Sequence, residues 1–468
     1  MNDLDPRRSA ALDWLFGRIN YERQPLPPYP ARTLKLDRMR QLLTRLGNPD
    51  AGMKLVHVAG TKGKGSTSAM IAAVLTAAGY RTGLYTSPHL ERMEERIAID
   101  GVPCSAAELV ALVDRLRPHV KAHDEQAAAL GDIGPTYFEI ATAMALSHFA
   151  DRQADAVVLE VGLGGRLDST NVCLPMVSVI TSISRDHTRQ LGETLAEIAR
   201  EKAGIIKPGV PVVSGVTDSE PRDVIAEVAH QHGCRLIEVG QQFHFRDTAP
   251  NHWTLPLTKR PTGSMLEFDG TIAGEVQHFT DIRLGLLGHH QAANAAVALA
   301  TLAELKHQGW NITEEATRAG LADIRIPARV EVFPGAPTII VDTAHNEASA
   351  AALVEFIEQH APHPRVLVAS ISRDKEVRAI VHLLTPHFDR FVVTQYVENP
   401  RAVVAERLAE TVRAELDLIG QRSASITICA TPADAWQHVL GTTEPHELVC
   451  ITGSFFLAAE MRRLVVAR

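Results

Sequence analysis

The segment Gly60-Thr-Lys-Gly-Lys-Gly-Ser66 carries three glycines, two lysines and hydroxyls at both ends, the materials of a phosphate-binding loop. Its glycines let successive backbone N–H groups approach phosphate oxygens, Lys64 offers a point charge to the outer phosphates, and Ser66 or Thr67 can present a hydroxyl to Mg²⁺. Gly63, Lys64, Gly65 and Ser66 are therefore candidate ATP ligands. The plain P-loop has Ser or Thr directly after its lysine, whereas here Gly65 intervenes. The competing reading is a glycine-rich turn that binds nothing; the apolar run before it, the alanine-rich helix after it and the two lysines favour phosphate.

Five more positions invite chemistry. Glu160 ends the apolar run Asp155-Ala-Val-Val-Leu-Glu-Val161, at the edge where open α/β sheets place their sites, and suits a Mg²⁺ carboxylate or a cap on the glycine-rich turn that follows. His187 reads alone as a polar loop residue and Lys202 as a solvated helix lysine. Asp342 and His345, beside Asn346, read as a site at a strand end or as a helix-capping cluster.

The elements that must position them follow from apolar spacing. Residues 9–47 predict two helices around the proline-rich Pro25–Pro30 stretch. Strand 55–59, the glycine loop and a helix to about 78 form a strand–loop–helix unit; further strands are expected at 82–86, 155–161, 176–182 and 210–214, with helices between them. Polar–apolar alternation over 240–285 (Phe243, Phe245, Trp253, Leu255, Leu266, Phe268) predicts a small antiparallel insert, and a long helix is expected over 290–306. From 337 the βα alternation restarts and runs to the end, with the joint near Asp323–Pro334. The expectation is an α/β protein: residues 1–325 form a P-loop-type nucleotide domain with a mostly parallel sheet and a small antiparallel insert, and 326–468 a Rossmann-like α/β domain.

The 468 residues, 45% hydrophobic and 22% charged, have the composition of a globular protein of two large domains. A net charge of −8 provides no basic field for nucleic acid. Five cysteines, far apart and without a Cys-x-x-Cys pair, argue against a disulfide framework or zinc site and fit a reducing cytoplasm. A signal core and an uninterrupted run of about 18 apolar residues are both missing, so neither export nor a membrane span is expected.

The glycine loop, with Thr86-Ser-Pro-His-Leu90, Glu95-Arg-Ile97, Thr136-Tyr-Phe-Glu139, Leu159 to Asn171, Asp186-His187, Glu201-Lys-Ala-Gly-Ile205, His290 to Asn294, Asp342-Thr-Ala-His-Asn346 and Thr452-Gly-Ser454, resembles the folylpolyglutamate synthase and dihydrofolate synthase family of the Mur ligase superfamily. The resemblance spans nearly the whole chain. It implies an ATP-dependent ligase that joins L-glutamate to a folate through an acyl phosphate, with two Mg²⁺ ions held by Ser87, Glu160 and His187 together with Ser66. It implies a carbamoylated Lys202, nucleotide contacts from Asn294, Arg329 and Asp342, and a substrate- or phosphate-orienting role for His345. Catalysis would then rest on Lys64, Lys202, Asp342 and His345, and folate contacts on Thr136, Tyr137, Phe138, Glu139 and Leu167. The expected partners are folate or dihydropteroate, L-glutamate and ATP, with a monomer as the expected state. The chain departs from the family pattern at Ile326-Pro-Ala-Arg329, where Trp-Pro-Gly-Arg is usual, at Glu347 in place of Pro, at Arg185 in place of an apolar residue, and at Arg32-Thr-Leu-Lys35, where bifunctional enzymes have Ile-Asp-Leu-Gly. Rival readings are a dihydrofolate synthase acting on dihydropteroate, a non-ligating ATP-binding regulatory module, and a ligase for a cell-wall or storage-polymer precursor.

Overall fold

The structure, a computed structural model, describes residues 5–20, 36–248, 263–361 and 363–468. The Pro25–Pro30 stretch, the Arg32–Lys35 departure, and Trp253 and Leu255 of the insert lie outside these residues. The chain divides into two compact units. The first comprises Met1–Arg246, Glu267–Ile282 and Ala293–Ile324, the second Asp247–Leu266, Arg283–Ala292 and Arg325–Arg468.

The first unit is built on an eight-stranded sheet. Its strands are β1 (Leu55–Ala59), β2 (Thr82–Tyr85), β3 (Ile97–Ile99), β4 (Val102–Pro103), β5 (Ala156–Glu160), β6 (Val177–Ile180), β7 (Val212–Ser214) and β8 (Leu236–Glu238), in the order β4-β3-β2-β5-β1-β6-β7-β8. Strands β1, β5 and β6 are buried at every position, as expected of parallel strands covered on both faces. Strand β1 pairs in parallel with β5, Val58 opposite Glu160, and with β6, Ala59 opposite Ile180. The carboxyl ends of these strands therefore open at one edge. The apolar runs do not announce that β3 and β4 add as an antiparallel meander at the far side of β2; they are three and two residues long, too short for periodicity to register.

Helix Lys64–Ala77 follows the glycine loop, and its Ala and Ser content lets a neighbour approach closely: a Cβ on Gly320 would meet the Val74 backbone. Helix Tyr137–Asp151 is buried along most of its length, with Phe149 packed against Gly83 of β2. Each such fully buried Phe or Leu contributes about 1.5–3 kcal/mol relative to exposure.

A three-stranded sheet of β9 (Phe243–Thr248), β10 (Ser264–Ile272) and β11 (Glu275–Leu284) has the order β11-β10-β9. Ala273 and Gly274 turn from β10 into β11 with φ of 52° and 85°, the two-residue type I′ geometry that makes an antiparallel hairpin. Helix His289–His307 follows.

The second unit carries β12 (Glu331–Phe333), β13 (Thr338–Val341), β14 (Arg365–Ala369), β15 (Arg390–Val393), β16 (Ser425–Ile428) and β17 (Leu448–Thr452) in the order β12-β13-β17-β14-β15-β16. All pairings are parallel except β12 with β13, the Rossmann-like alternation expected. The extended piece in the joint is this antiparallel edge strand. Among the described residues no helix is long and apolar enough to cross a membrane, and all five cysteines are unpaired.

Candidate active site

The phosphate loop leaves β1 and is fixed from beneath by the exit of β6. Thr61 N–H donates to Ser182 O (2.7 Å), and Thr181 Oγ1 donates to Lys62 O (2.6 Å). Gly63, at φ 82°, caps the helix that begins at Lys64; a Cβ there would collide with Asn294 Oδ1, so glycine is required both by conformation and by the approach of Asn294. Thr67 Oγ1 also donates to Asn294 O (3.4 Å). Lys64 Nζ lies 3.5 Å from Thr61 O, and Ser66 is buried in the first helical turn.

Glu160, at the end of β5 and only 4% exposed, carries its carboxylate over Gly65, where an added Cβ would stand 3.4 Å from Oε2. The same oxygen accepts Ser87 N–H (3.0 Å). Glu160, Ser87 and the loop thus meet at one edge of the sheet. No group of three His, Cys, Asp or Glu able to hold a metal occurs among the described residues. A single carboxylate with hydroxyls beside a phosphate loop fits Mg²⁺, which keeps waters and substrate phosphates as its other ligands.

Lys202 is 4% exposed and donates to Gly60 O (2.9 Å) from helix Leu195–Ala203. Burial, and next the Lys64 charge, push its ammonium well below the usual lysine range, with Asp186 pulling the other way. His187 caps the short helix Thr188–Leu191 in the left-handed region, φ 52°. Its N–H donates to Asp186 Oδ1 (2.9 Å), and Asp186 Oδ2 accepts Lys62 Nζ (2.9 Å).

The expected folate segment lies alongside. Thr136 and Glu139 form the capping box of helix Tyr137–Asp151, and Arg38 Nε, 101 positions away in sequence, donates to both Glu139 oxygens (2.9 and 2.8 Å). Tyr137 is fully buried, its hydroxyl donating to Met93 Sδ (3.1 Å) and the Arg96 guanidinium 5.4 Å from its ring. Phe138 is half-buried and would lie 3.6 Å from a Cβ on Gly162, beside Ser87 Oγ. Leu167 sits half-buried in the turn before Asp168.

Asp168 is a residue to which the sequence reading assigned no role. Its Oδ2 accepts Gly162 and Leu163 N–H (both 3.0 Å), and its Oδ1 accepts Thr170 N–H (2.9 Å) and the Thr170 hydroxyl (2.5 Å). Since that hydroxyl is spent as a donor, its oxygen accepts from His57 Nε2 (2.8 Å), leaving the lone pair of Nδ1 to face Cys173 Sγ (3.6 Å). Burial raises the Asp168 carboxyl against these hydrogen bonds and, with the Lys207 charge next, lowers His57 to about 3. The chain from β1 to Asp168 anchors the backbone immediately after Glu160. The spacing Asp168-x-Thr170, an Asx-turn pattern, is its one local signal.

In the second unit Asp342 follows β13 and accepts Val330 N–H at Oδ2 (2.9 Å) and Ala344 N–H at Oδ1 (2.7 Å). Burial raises its carboxyl, and the Arg329 charge opposes this. The Arg329 guanidinium lies 5.7 Å from the Phe455 ring. His345 Nδ1 donates to Thr343 O (2.8 Å), which leaves the lone pair on Nε2, and Asn346 caps helix Glu347–His360. Asp342, Arg329 and His345 are thus gathered at the carboxyl edge of the second sheet.

Residues 119–302 match the Mur ligase middle domain and residues 328–455 the Mur ligase glutamate ligase domain. The chain is 36% identical over 461 residues to the dihydrofolate synthase/folylpolyglutamate synthase of Bacillus subtilis, covering 97% of this chain and 98% of that one. It is 34% identical to the folylpolyglutamate synthase of Lacticaseibacillus casei, covering 94% and 96%. Among solved structures it resembles Mycobacterium tuberculosis folylpolyglutamate synthase complexed with ADP, with a TM-score of 0.85, 33% identity and 98% of each chain covered. It also resembles E. coli FolC in complex with DHPP and ADP, with a TM-score of 0.80, 29% identity and 99% of each chain covered. By these matches the chain belongs to the folylpolyglutamate synthase/dihydrofolate synthase family of Mur-type ligases.

Proposed function

We propose that this protein is an ATP-dependent ligase that adds L-glutamate to a folate through an acyl phosphate, releasing ADP and phosphate. The observation that carries the reading is the Glu160 carboxylate standing over Gly65 of the phosphate loop, with Ser87 on the same oxygen. A carboxylate at that position supports a cation beside the phosphates that the loop would hold.

The folate carboxylate attacks the γ-phosphorus in line, an oxygen–phosphorus bond forms and the bond to ADP breaks. Lys64 and the loop N–H groups hold the phosphate oxygens and take up the charge that develops. Ser66, Ser87, Glu160 and His187 would hold Mg²⁺, two ions in this reading, whose positive charge would offset repulsion between γ-phosphate and carboxylate. The glutamate amine then attacks the acyl carbon, loses a proton, and the tetrahedral intermediate expels phosphate to leave an amide. We assign ATP binding to residues 1–325, with Asn294 at the loop, and the incoming glutamate to 326–468. Arg329 and Asp342 are assigned to the nucleotide, and His345 to orienting substrate or phosphate. Phe138 and Leu167, with Thr136, Tyr137 and Glu139 as their frame, are assigned to the pterin side. Lys202 works as a carbamate: its burial disfavours the ammonium, and the neutral amine is the form that adds to CO₂. The protein is assigned to the cytoplasm, as a monomer.

Dihydropteroate is a second acceptor in this reading, supported by the bifunctional names of relatives such as that of Bacillus subtilis. The test measures ADP release with glutamate plus tetrahydrofolate against glutamate plus dihydropteroate. ADP release that needs both glutamate and one of these acceptors is expected. Release indifferent to glutamate would leave a non-ligating ATPase.

A further inference from the structure

We infer that Lys62 is a positioning residue, holding His187 at the mouth of the phosphate loop through Asp186 and leaving the phosphates to Lys64; the inference rests on the ligase reading above. Lys62 occupies the loop position between Thr61 and Gly63, where a second cation invites assignment to phosphate. Its backbone, however, is clamped to the exit of β6: Lys62 N–H donates to Ser182 Oγ (3.0 Å), and Lys62 O accepts Thr181 Oγ1 (2.6 Å) and Ser182 Oγ (3.0 Å). From that fixed origin its ammonium reaches Asp186 Oδ2 (2.9 Å), in a pair whose side chains are only 25% and 9% exposed. Such a partly desolvated pair is screened far less than a surface one. Lys64 Nζ lies 3.5 Å from the Thr61 carbonyl and pairs with no carboxylate among the described residues, so its charge is left for a ligand while that of Lys62 is committed to Asp186.

The other oxygen of Asp186 does a separate task. Oδ1 accepts His187 N–H (2.9 Å) at a residue whose φ of 52° is left-handed, a conformation that costs a non-glycine residue about 1–2 kcal/mol and needs an external hold. Lys62 fixes Asp186, and Asp186 holds His187 by its backbone N–H, with the imidazole Nε2 3.9 Å from the same Oδ1. A carboxylate without its cation would rotate away from the His187 N–H, and the imidazole would lose its place. Outer partners of this kind typically weaken metal affinity about 10–100-fold when removed.

The test is calorimetric titration of ADP, in EDTA and in excess Mg²⁺, on wild type, Lys62→Met, Lys62→Arg, Asp186→Asn and the double variant Lys62→Met/Asp186→Asn. In EDTA, ADP should bind all variants as it binds wild type, which also reports that the loop is folded. The affinity gained on adding Mg²⁺ should fall about tenfold in each single neutralised variant, no further in the double, and should recover in Lys62→Arg. A Lys62→Met protein that binds ADP weakly in EDTA while Asp186→Asn does not would make Lys62 a phosphate ligand and overturn the inference. An unchanged Mg²⁺ gain in Asp186→Asn would overturn it as well. Neither folate nor glutamate enters the experiment, so its failure is distinguishable from failure of the ligase assignment.

Discussion

Single residues at the loop carry the sharpest consequences. Lys64 has a charge uncommitted to any carboxylate among the described residues, so Lys64→Ala should lower kcat by orders of magnitude, as expected when a cation worth several kcal/mol in the transition state is lost; wild-type turnover would remove Lys64 from catalysis. Glu160→Ala should raise the Mg²⁺ concentration for half-maximal activity while the unit stays folded, because the carboxylate stands at the end of β5, where its Oε2 accepts the Ser87 N–H. An unmoved Mg²⁺ titration would make Glu160 structural. For Lys202, mass spectrometry under CO₂ and electron density with nucleotide and metal bound should reveal three added heavy atoms on Nζ. An unmodified amine in that state would reject the carbamate, and Lys202→Ala rescued by a small carboxylate would support it. Lys64 and Glu160 stand out as candidates because a glycine-rich loop and a strand-end carboxylate announce themselves locally, whereas Lys202 reads alone as a solvated helix lysine and enters through the family resemblance. The partners that hold them are not legible: Lys62 to Asp186, Arg38 to Glu139 and His57 to Thr170 are 124, 101 and 113 positions apart, and no local pattern encodes such pairings.

The elements read from apolar runs return closely in β1, β5 and β6, while β3, β4 and the strand order depend on pairings that one sequence does not display. At this scale the Thr136-Tyr-Phe-Glu139 segment illustrates two layers of information. Its capping box is visible in sequence, but the second use of Glu139, as the buried partner of Arg38 at 5–6% side-chain exposure, is not. Glu139→Gln preserves the cap acceptor yet leaves a buried guanidinium without its counter-charge. It should therefore destabilise the first unit by about 3–5 kcal/mol, read as a lowered melting temperature. A shift within error would show that Arg38 finds other acceptors. Thr170→Val tests the chain beneath Glu160, since it leaves His57 and Asp168 each one hydrogen bond short. It should cost about 1–3 kcal/mol, with Thr170→Ser restoring most of the loss; equal behaviour of Val and Ser would make the hydroxyl irrelevant.

Across the molecule, histidines held below their ordinary range make stability depend on pH, among them His57 in the first unit and His290 in the second. Burial is the first cause in both, with Lys207 next at His57 and Arg329 next at His290, and it lowers His57 to about 3 and His290 to about 4. Unfolded, both titrate near about 6.5, so below that pH the unfolded chain binds protons that the folded chain refuses. Each histidine then removes about 1.4 kcal/mol per pH unit as pH falls from about 6.5 toward its folded value. Melting temperatures should therefore hold above pH 7 and drop between pH 6.5 and pH 5; a flat profile would mean that the imidazoles are charged in the fold. The central claim, that the two units serve an acyl-phosphate ligase, is tested most directly by oxygen transfer. Folate carrying ¹⁸O in the reacting carboxylate is turned over with ATP and glutamate, and the released phosphate is analysed by mass spectrometry. The account predicts one ¹⁸O per phosphate, in step with ADP and the new amide. Phosphate without excess ¹⁸O, or AMP and pyrophosphate in place of ADP and phosphate, would contradict it.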